Sequence, residues 1–551
     1  MTQSEMLRDK DKWREIRESE KYAPLRDMLA EDYEQYCHGK GISQILFSDE
    51  MDFFRTGSRA RFEKLYFSRR CQLSIYAIYA MMYPEKAEYL EKLQDVICEI
   101  CNEYSWQLPA HRPVFYRNKR DGLALFSCET GLYLAEIKYM LSDRLDVFVT
   151  ERITKALDER ILKSFENEAQ WFESLKSNWA AVCGGSLGMT FMYESPERFS
   201  KVQPRIEKCM ENYRDGILSD GSTSEGASYW NYGMCFYAMY YDNLRRYTMG
   251  RGRNGLKDEK MKRFAGFYSD LMLGSSVMTS FSDASSSSGC DIWLIYFLSK
   301  EYGIELPPCE MCYINTDKLS AAVRAFMYFD PELSCGNTSE SERFFDKLGW
   351  YIKRTESYGF AVKGGNNGEE HNHNDIGSFI VAGDGKQILC DLGAAEYTAF
   401  NFGKDRYKVF NNSSLGHSVP IVNGCEQGTG SEFYGCLEVS DAISVDMSAA
   451  YPGSVGKLIR QFRLDEGSIS LKDSFDKKTD IRERFITEIE PSVENGRIII
   501  DGTELIYDTA WRPSVTVKSV PKHGGDANRT VYVIDFESVS DTDRFEMEIR
   551  L

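Results

Sequence analysis

The chain has 551 residues, 42% hydrophobic and 13% aromatic, which suits more than one packed core and excludes a disordered protein. Its formal net charge of −18 disfavours nucleic acid or an acidic membrane as a partner, so an anionic ligand would need a local basic pocket. The start, MTQSEMLRDKDKWREIRESEKY, has no apolar signal core, and the apolar stretch LSIYAIYAMMY (73–83) is too short for a bilayer, so a cytoplasmic protein without a membrane partner is expected. Fifteen cysteines without a metal or disulfide framework read mostly as buried thiols in a reducing compartment.

From residue 1 to about 330 the apolar spacing is three to four, as in GLALFSCETGLYLAEIKYMLSD (122–143) and MCFYAMYYDNLRRYTM (234–249). About a dozen helices joined by short loops favour antiparallel hairpins, stacked as a solenoid or closed as a toroid. Within this half, SNWAAVCGGSLGM (177–189) and the polar loop SDGSTSEGASYWNYG (219–233) offer Asn178, Glu225, Tyr229 and Tyr232. Tyr229, Trp230 and Tyr232 also suit plain helix packing, and Asn178 a capping amide. SWQLPAHRPVFYRNKRDG (105–122) carries Arg112, Arg117, Lys119 and Arg120, a basic run suited to an anionic sugar or to a solvated loop. The Ser-rich loop SDASSSSGCD (282–291) carries no assignable chemistry.

After about residue 340 the pattern becomes short alternating runs between Gly, Asp and Asn turns, as in SFIVAGDGKQILCDLG and GKLIRQFRLDEGSISLKDSF. Helices followed by strands imply an α+β multidomain chain, with a helical domain over 1–335, a β-sandwich of antiparallel sheets over 336–551, and a linker near 327–349. In EEHNHND (369–375), an extended backbone would put His371 and His373 on one face. The GDGK turn would fold the strand leading to Asp391 back beside them, and His417 follows in SSLGHSVPIVNG. Three of the six histidines and a carboxylate thus gather in a short span, either as hydrogen-bonded turn residues or as zinc donors.

The stretch 358–398, then RY at 406–407 and HSVPIVNGCEQ at 417–427, resembles the heparinase II/III-like family of polysaccharide lyases, in which an H-x-H, a later Asp and a later His recur in this order. The resemblance implies an N-terminal (α/α) toroid of helical hairpins, then a C-terminal β-sandwich. It implies a mainly structural zinc on His373, Asp391 and His417, with His371 facing the cleft. The family form E-G-x-x-Y-x-x-Y matches Glu225 to Tyr232 and makes Tyr229 the catalytic tyrosine. The segment at 177–189 implies that Asn178 meets a substrate carboxylate, although Trp179 stands where the family often has His. Trp179, Glu225, Tyr232, Arg112, Arg406 and Tyr407 would line the substrate site.

The implied reaction is β-elimination on a 4-O-linked uronic acid, giving a 4,5-unsaturated end, with an anionic oligosaccharide as substrate. Tyr229 would take the C5 proton as a phenolate stabilised by cationic neighbours, or His371 would take it. A homodimer is compatible with this reading. Two alternatives stand beside it: a glycoside hydrolase using Glu225 and Glu370, and a non-catalytic carbohydrate-binding protein.

Overall fold

The computed structural model describes residues 3–112, 122–333, 336, 339–451, 453, 456–524, 527–538, 540 and 542–551. Its N-terminal half is helical up to the helix Leu319–Tyr328, and its C-terminal half consists of antiparallel sheets from the strand Ser341–Phe345 onward. Helices successive in the chain pack in pairs, such as Ala60–Met82 on Ala87–Asn102 and Asn178–Glu194 on Pro196–Gly216. The last of them, Leu319–Tyr328, returns against Ala60–Met82, so the hairpins close into a ring.

Local chemistry explains where these helices begin and end. Asp9 caps Lys10–Glu18 by accepting from the Asp11 and Lys12 amides, and Gly303 ends Ile292–Tyr302 in the left-handed conformation. Asn178–Glu194 is apolar all round and buried, as expected of a central helix. Its CGGSLG run lets neighbours come close: a Cβ on Gly185 would stand 2.8 Å from the Phe236 carbonyl, and one on Gly188 2.5 Å from the Tyr240 ring.

The C-terminal half contains sheets of nine, five and four strands. The five-stranded sheet (341–345, 350–354, 359–363, 379–383 and 386–389) is the shared layer. Trp350, Ile352, Ala361, Ile380 and Ala382 join the core of the helical half, while Tyr351, Phe360, Val362, Phe379 and Val381 join the sandwich core. Both faces are buried, so strands such as FIVAG read as continuous apolar runs. Each large side chain buried there contributes about 1.5–3 kcal/mol.

Buried charges tie this layer to the loops above it. Arg460 and Asp473 pair at 2.7 Å, Glu483 completes the group at 3.0 Å, and all three side chains are fully buried. Arg460 also donates to the carbonyls of Gly377 and Ser418, at 2.9 and 2.6 Å, and so holds the two segments that carry His373 and His417. No helix among the described residues is long and apolar enough to cross a membrane. Among the described residues thirteen cysteines are free thiols, most of them buried.

Candidate active site at the seam of the two halves

A cavity of about 970 Å³ lies between the ring and the β half and brings together Asn178, Trp179, Glu225, Tyr229, Tyr232 and Arg112 with His371, Arg406 and Tyr407. The helical residues arrive at helix starts. Asn178 opens its helix, and Tyr229 lies in the first turn of Gly226–Tyr247. Gly226 has φ +80°, and a Cβ there would stand 3.1 Å from Ala284, so this turn needs glycine to seat against the 280–284 loop.

Asn178 Nδ2 donates to Glu225 Oε1 at 3.2 Å, while its Oδ1 is buried without a partner. Burial pushes the Glu225 carboxyl up to about 7, with Glu370 adding to the rise and His371 opposing it. The Tyr229 and His371 rings lie 4.3 Å apart, and the Tyr229 hydroxyl shares a 2.7 Å hydrogen bond with Tyr397. Burial, with Asp283 reinforcing it, raises the Tyr229 pKa, and Arg59 offsets this only weakly. Burial, before any neighbouring charge, thus favours the protonated phenol over the phenolate that the expected cationic neighbours would stabilise.

The HNHND segment corrects a second expectation. It is a turn rather than a strand, and His371 adopts the left-handed region with φ +59°. The two imidazoles converge by another route. His371 Nδ1 lies 2.8 Å from Asp283 Oδ2, and His373 Nε2 lies 3.1 Å from Asp283 Oδ1. Burial opposes charge on Asp283, but the bonds from His371 and His373, with Arg406 alongside, hold its carboxyl well below the usual range. It is therefore an acceptor, each histidine donates to it, and His371 Nε2 is left with no partner among the described residues.

Asp283 was missed by sequence reasoning, since one acid in a Ser-rich loop makes no periodic pattern. Tyr397 and Trp171 were missed too. Tyr397 follows the CDLG turn, and the Trp171 ring lies 4.7 Å from that of Trp179, tilted by 54°, at the cavity edge.

His373, Asp391 and His417 are all buried, and one donor atom from each lies within 4.8 Å of the others. His417 Nε2 donates to the Asn411 carbonyl at 2.6 Å, while its Nδ1 faces Asp391 Oδ2 at 3.0 Å. His373 Nδ1 is buried without a partner. Two imidazoles and a carboxylate, all buried and with one imidazole nitrogen unpartnered, fit a divalent zinc-type ion. Burial opposes a second proton on His417 while Asp391 favours one and raises its pKa, whereas burial lowers that of His373. Lys363 neutralises the neighbouring Asp375 at 2.7 Å.

The remaining expected residues take different roles. Arg112 is buried and paired with Glu50, so its charge is already matched rather than free for a sugar. Arg117, Lys119 and Arg120 lie outside the described residues. Tyr232 turns its hydroxyl away to Glu129 inside the ring. Arg406 and Tyr407 sit in a short helical turn and brace the HNHND segment: Arg406 donates to the Asn372 carbonyl at 3.0 Å and Tyr407 to Asn372 Oδ1 at 2.8 Å.

The architecture is thus a helical ring followed by a sandwich of antiparallel sheets, with a polar cleft at their seam. Residues 337–495 match the family described as heparinase II/III-like, C-terminal, and with that match the resemblance to this family is established. Among solved structures, a heparinase III superposes with a TM-score of 0.59 at 13% identity, covering 98% of this chain and 91% of that one. The heparan sulfate lyase HepC from Pedobacter heparinus gives 0.56 at 10% identity, covering 98% and 92%. The chondroitin AC lyase from Streptomyces coelicolor A3, solved with chondroitin sulphate, gives 0.55 at 9% identity, covering 100% and 82%. These likenesses establish the fold. No curated protein matches the chain.

Proposed function

We propose that the protein is a lyase that cleaves a 4-O-linked uronic acid glycan by β-elimination, leaving a 4,5-unsaturated sugar. The observation that carries this reading is the meeting, in one cavity, of Asn178 and Tyr229 from the ring with His371 from the β half. The heparan sulfate and chondroitin lyases of the same fold support it.

The chemistry requires a neutralised carboxylate, a base for the C5 proton and an acid for the departing oxygen. His371, with Nδ1–H donated to Asp283, offers the Nε2 lone pair as base. The imidazolium that forms is stabilised by the Asp283 carboxylate. Tyr229, a buried phenol, donates its proton to the leaving oxygen, and its bond to Tyr397 gives a route for reprotonation. Asn178 binds the uronate. With Glu225 protonated, a flipped amide accepts from Glu225 at Oδ1 and turns Nδ2 toward the sugar, which also satisfies the orphaned oxygen.

His373, Asp391 and His417 would hold a zinc ion, whose contribution when bound is structural charge that fixes the loops presenting His371. Incubation with sized uronic-acid oligosaccharides should produce the ultraviolet absorbance of a conjugated double bond. New reducing ends without that absorbance would overturn elimination. They would favour hydrolysis by Glu225 and Glu370, which share the cavity and of which Glu225 has the raised pKa of a general acid.

A further inference from the structure

Asp283 is the one carboxylate that both histidines of HNHND address, and it comes from the opposite half of the molecule. Its oxygens are divided: Oδ1 takes His373, whose other nitrogen belongs to the buried donor set, and Oδ2 takes His371, whose other nitrogen belongs to the cleft. Arg406 NH2 meets Oδ2 from a third direction at 3.3 Å.

The backbone is built around this contact. Ser282 has φ +65° and His371 φ +59°, conformations that are strained for non-glycine residues and persist only where surroundings enforce them. The next residue, Ala284, accepts from the Ala394 amide at 3.0 Å, and Ser280 Oγ donates to the Asp391 carbonyl at 2.9 Å. A Cβ on Gly393 would come 2.0 Å from the Ala284 carbonyl. The loop carrying Asp283 is therefore locked onto the segment carrying a metal-site residue.

We propose that Asp283 is a positioning residue that couples the buried donor set to the cleft, so that engagement of His373 Nδ1 by metal fixes the proton on Nε2, and through Asp283 the orientation and tautomer of His371. When His373 Nδ1 is engaged, only Nε2 can carry the ring proton, and that proton must go to Asp283 Oδ1. Oδ2 then remains available for His371 Nδ1–H, which leaves Nε2 bare toward the sugar. When His373 Nδ1 is free, the Nδ1–H tautomer also becomes accessible; it withdraws the donor from Oδ1, so the Asp283 carboxylate is held less firmly and His371 is oriented less strictly. This inference rests on the proposed function only in taking His371 as the cleft-facing base.

The test compares wild-type protein and Asp283→Asn, each zinc-loaded and stripped with chelator, by zinc content, by kcat and KM on uronic-acid oligosaccharides, and by ¹⁵N resonances of the histidine rings, with His371 assigned through His371→Gln. Stripping wild-type protein should change the His371 ring signals and lower kcat about 10- to 100-fold with little change in KM. In Asp283→Asn the loaded protein should already show the altered signals and lowered kcat, and stripping should add nothing. Equal, multiplicative losses in both backgrounds would overturn the coupling, as would a wild-type His371 signal indifferent to zinc.

If Asp283→Asn fails to fold, stepwise zinc titration of the stripped wild-type protein decides the matter alone, because the His371 signal must track occupancy. The ring resonances need no turnover. A protein inactive on every uronate but zinc-responsive at His371 would therefore refute the proposed function and leave the coupling standing.

Discussion

The two walls of the cleft are built on different physics. On the helical side, Asn178 and Tyr229 sit at the starts of long buried helices, held by packing, with Tyr229 and the adjoining Glu225 shifted toward their protonated forms by burial. On the β side, His371, His373, Asp391 and His417 sit on turns and loops held by charge: Asp283 binds two histidines, Lys363 neutralises Asp375, and Arg460 grips the carbonyls beneath. One wall is suited to giving protons and the other to fixing directions. A substitution should therefore fail in a different way on each side.

The largest effect is expected at Tyr229. Tyr229→Phe removes the general acid and should lower kcat by about 10²–10⁴-fold, while the melting temperature hardly changes, because only the bond to Tyr397 is lost. Near-normal turnover by this variant would remove tyrosine from the mechanism and break the division between the walls.

His373→Ala should do the opposite. It takes a hydrogen bond from buried Asp283 and a donor from the metal set and leaves a cavity where the ring was, so denaturant melts should show a loss of about 3–5 kcal/mol. Zinc content should fall with it. An apparently stable, zinc-replete His373→Ala protein would mean that the β wall is not held in this way.

Asn178→Ala should be milder, about 1.5–3 kcal/mol in kcat/KM for the loss of a hydrogen bond to a charged group, read as a rise in KM larger than the fall in kcat. A selective loss on uronates, with neutral sugars binding as before, would sharpen its assignment.

The smallest effect is a pH dependence. The Glu225 pKa is raised to about 7, so the proton it needs in order to donate to Asn178 is present below pH 7 and lost as pH rises through that value. kcat/KM should decline on the alkaline side, and Glu225→Gln, which cannot titrate, should flatten that limb. An unchanged profile in the variant would assign the limb to another group.

The sequence by itself carried the architecture, because helical and strand periodicity are local properties and both faces of FIVAG are written in its composition. It also carried most residues of the proposed site: HNHND, Asp391, His417, Asn178 and Tyr229 were all visible as residue types at particular spacings. What it did not carry was how they divide the work. His371 and Asp283 are 88 residues apart, in a turn and a Ser-rich loop, and their contact exists because helix starts and strand ends are packed against each other. Alternation suggested that two imidazoles share a strand face, whereas the fold made them share a carboxylate. Tyr229 was legible as a phenol, but its protonation depends on burial and on which charge stands beside it, and only the tertiary structure decides both.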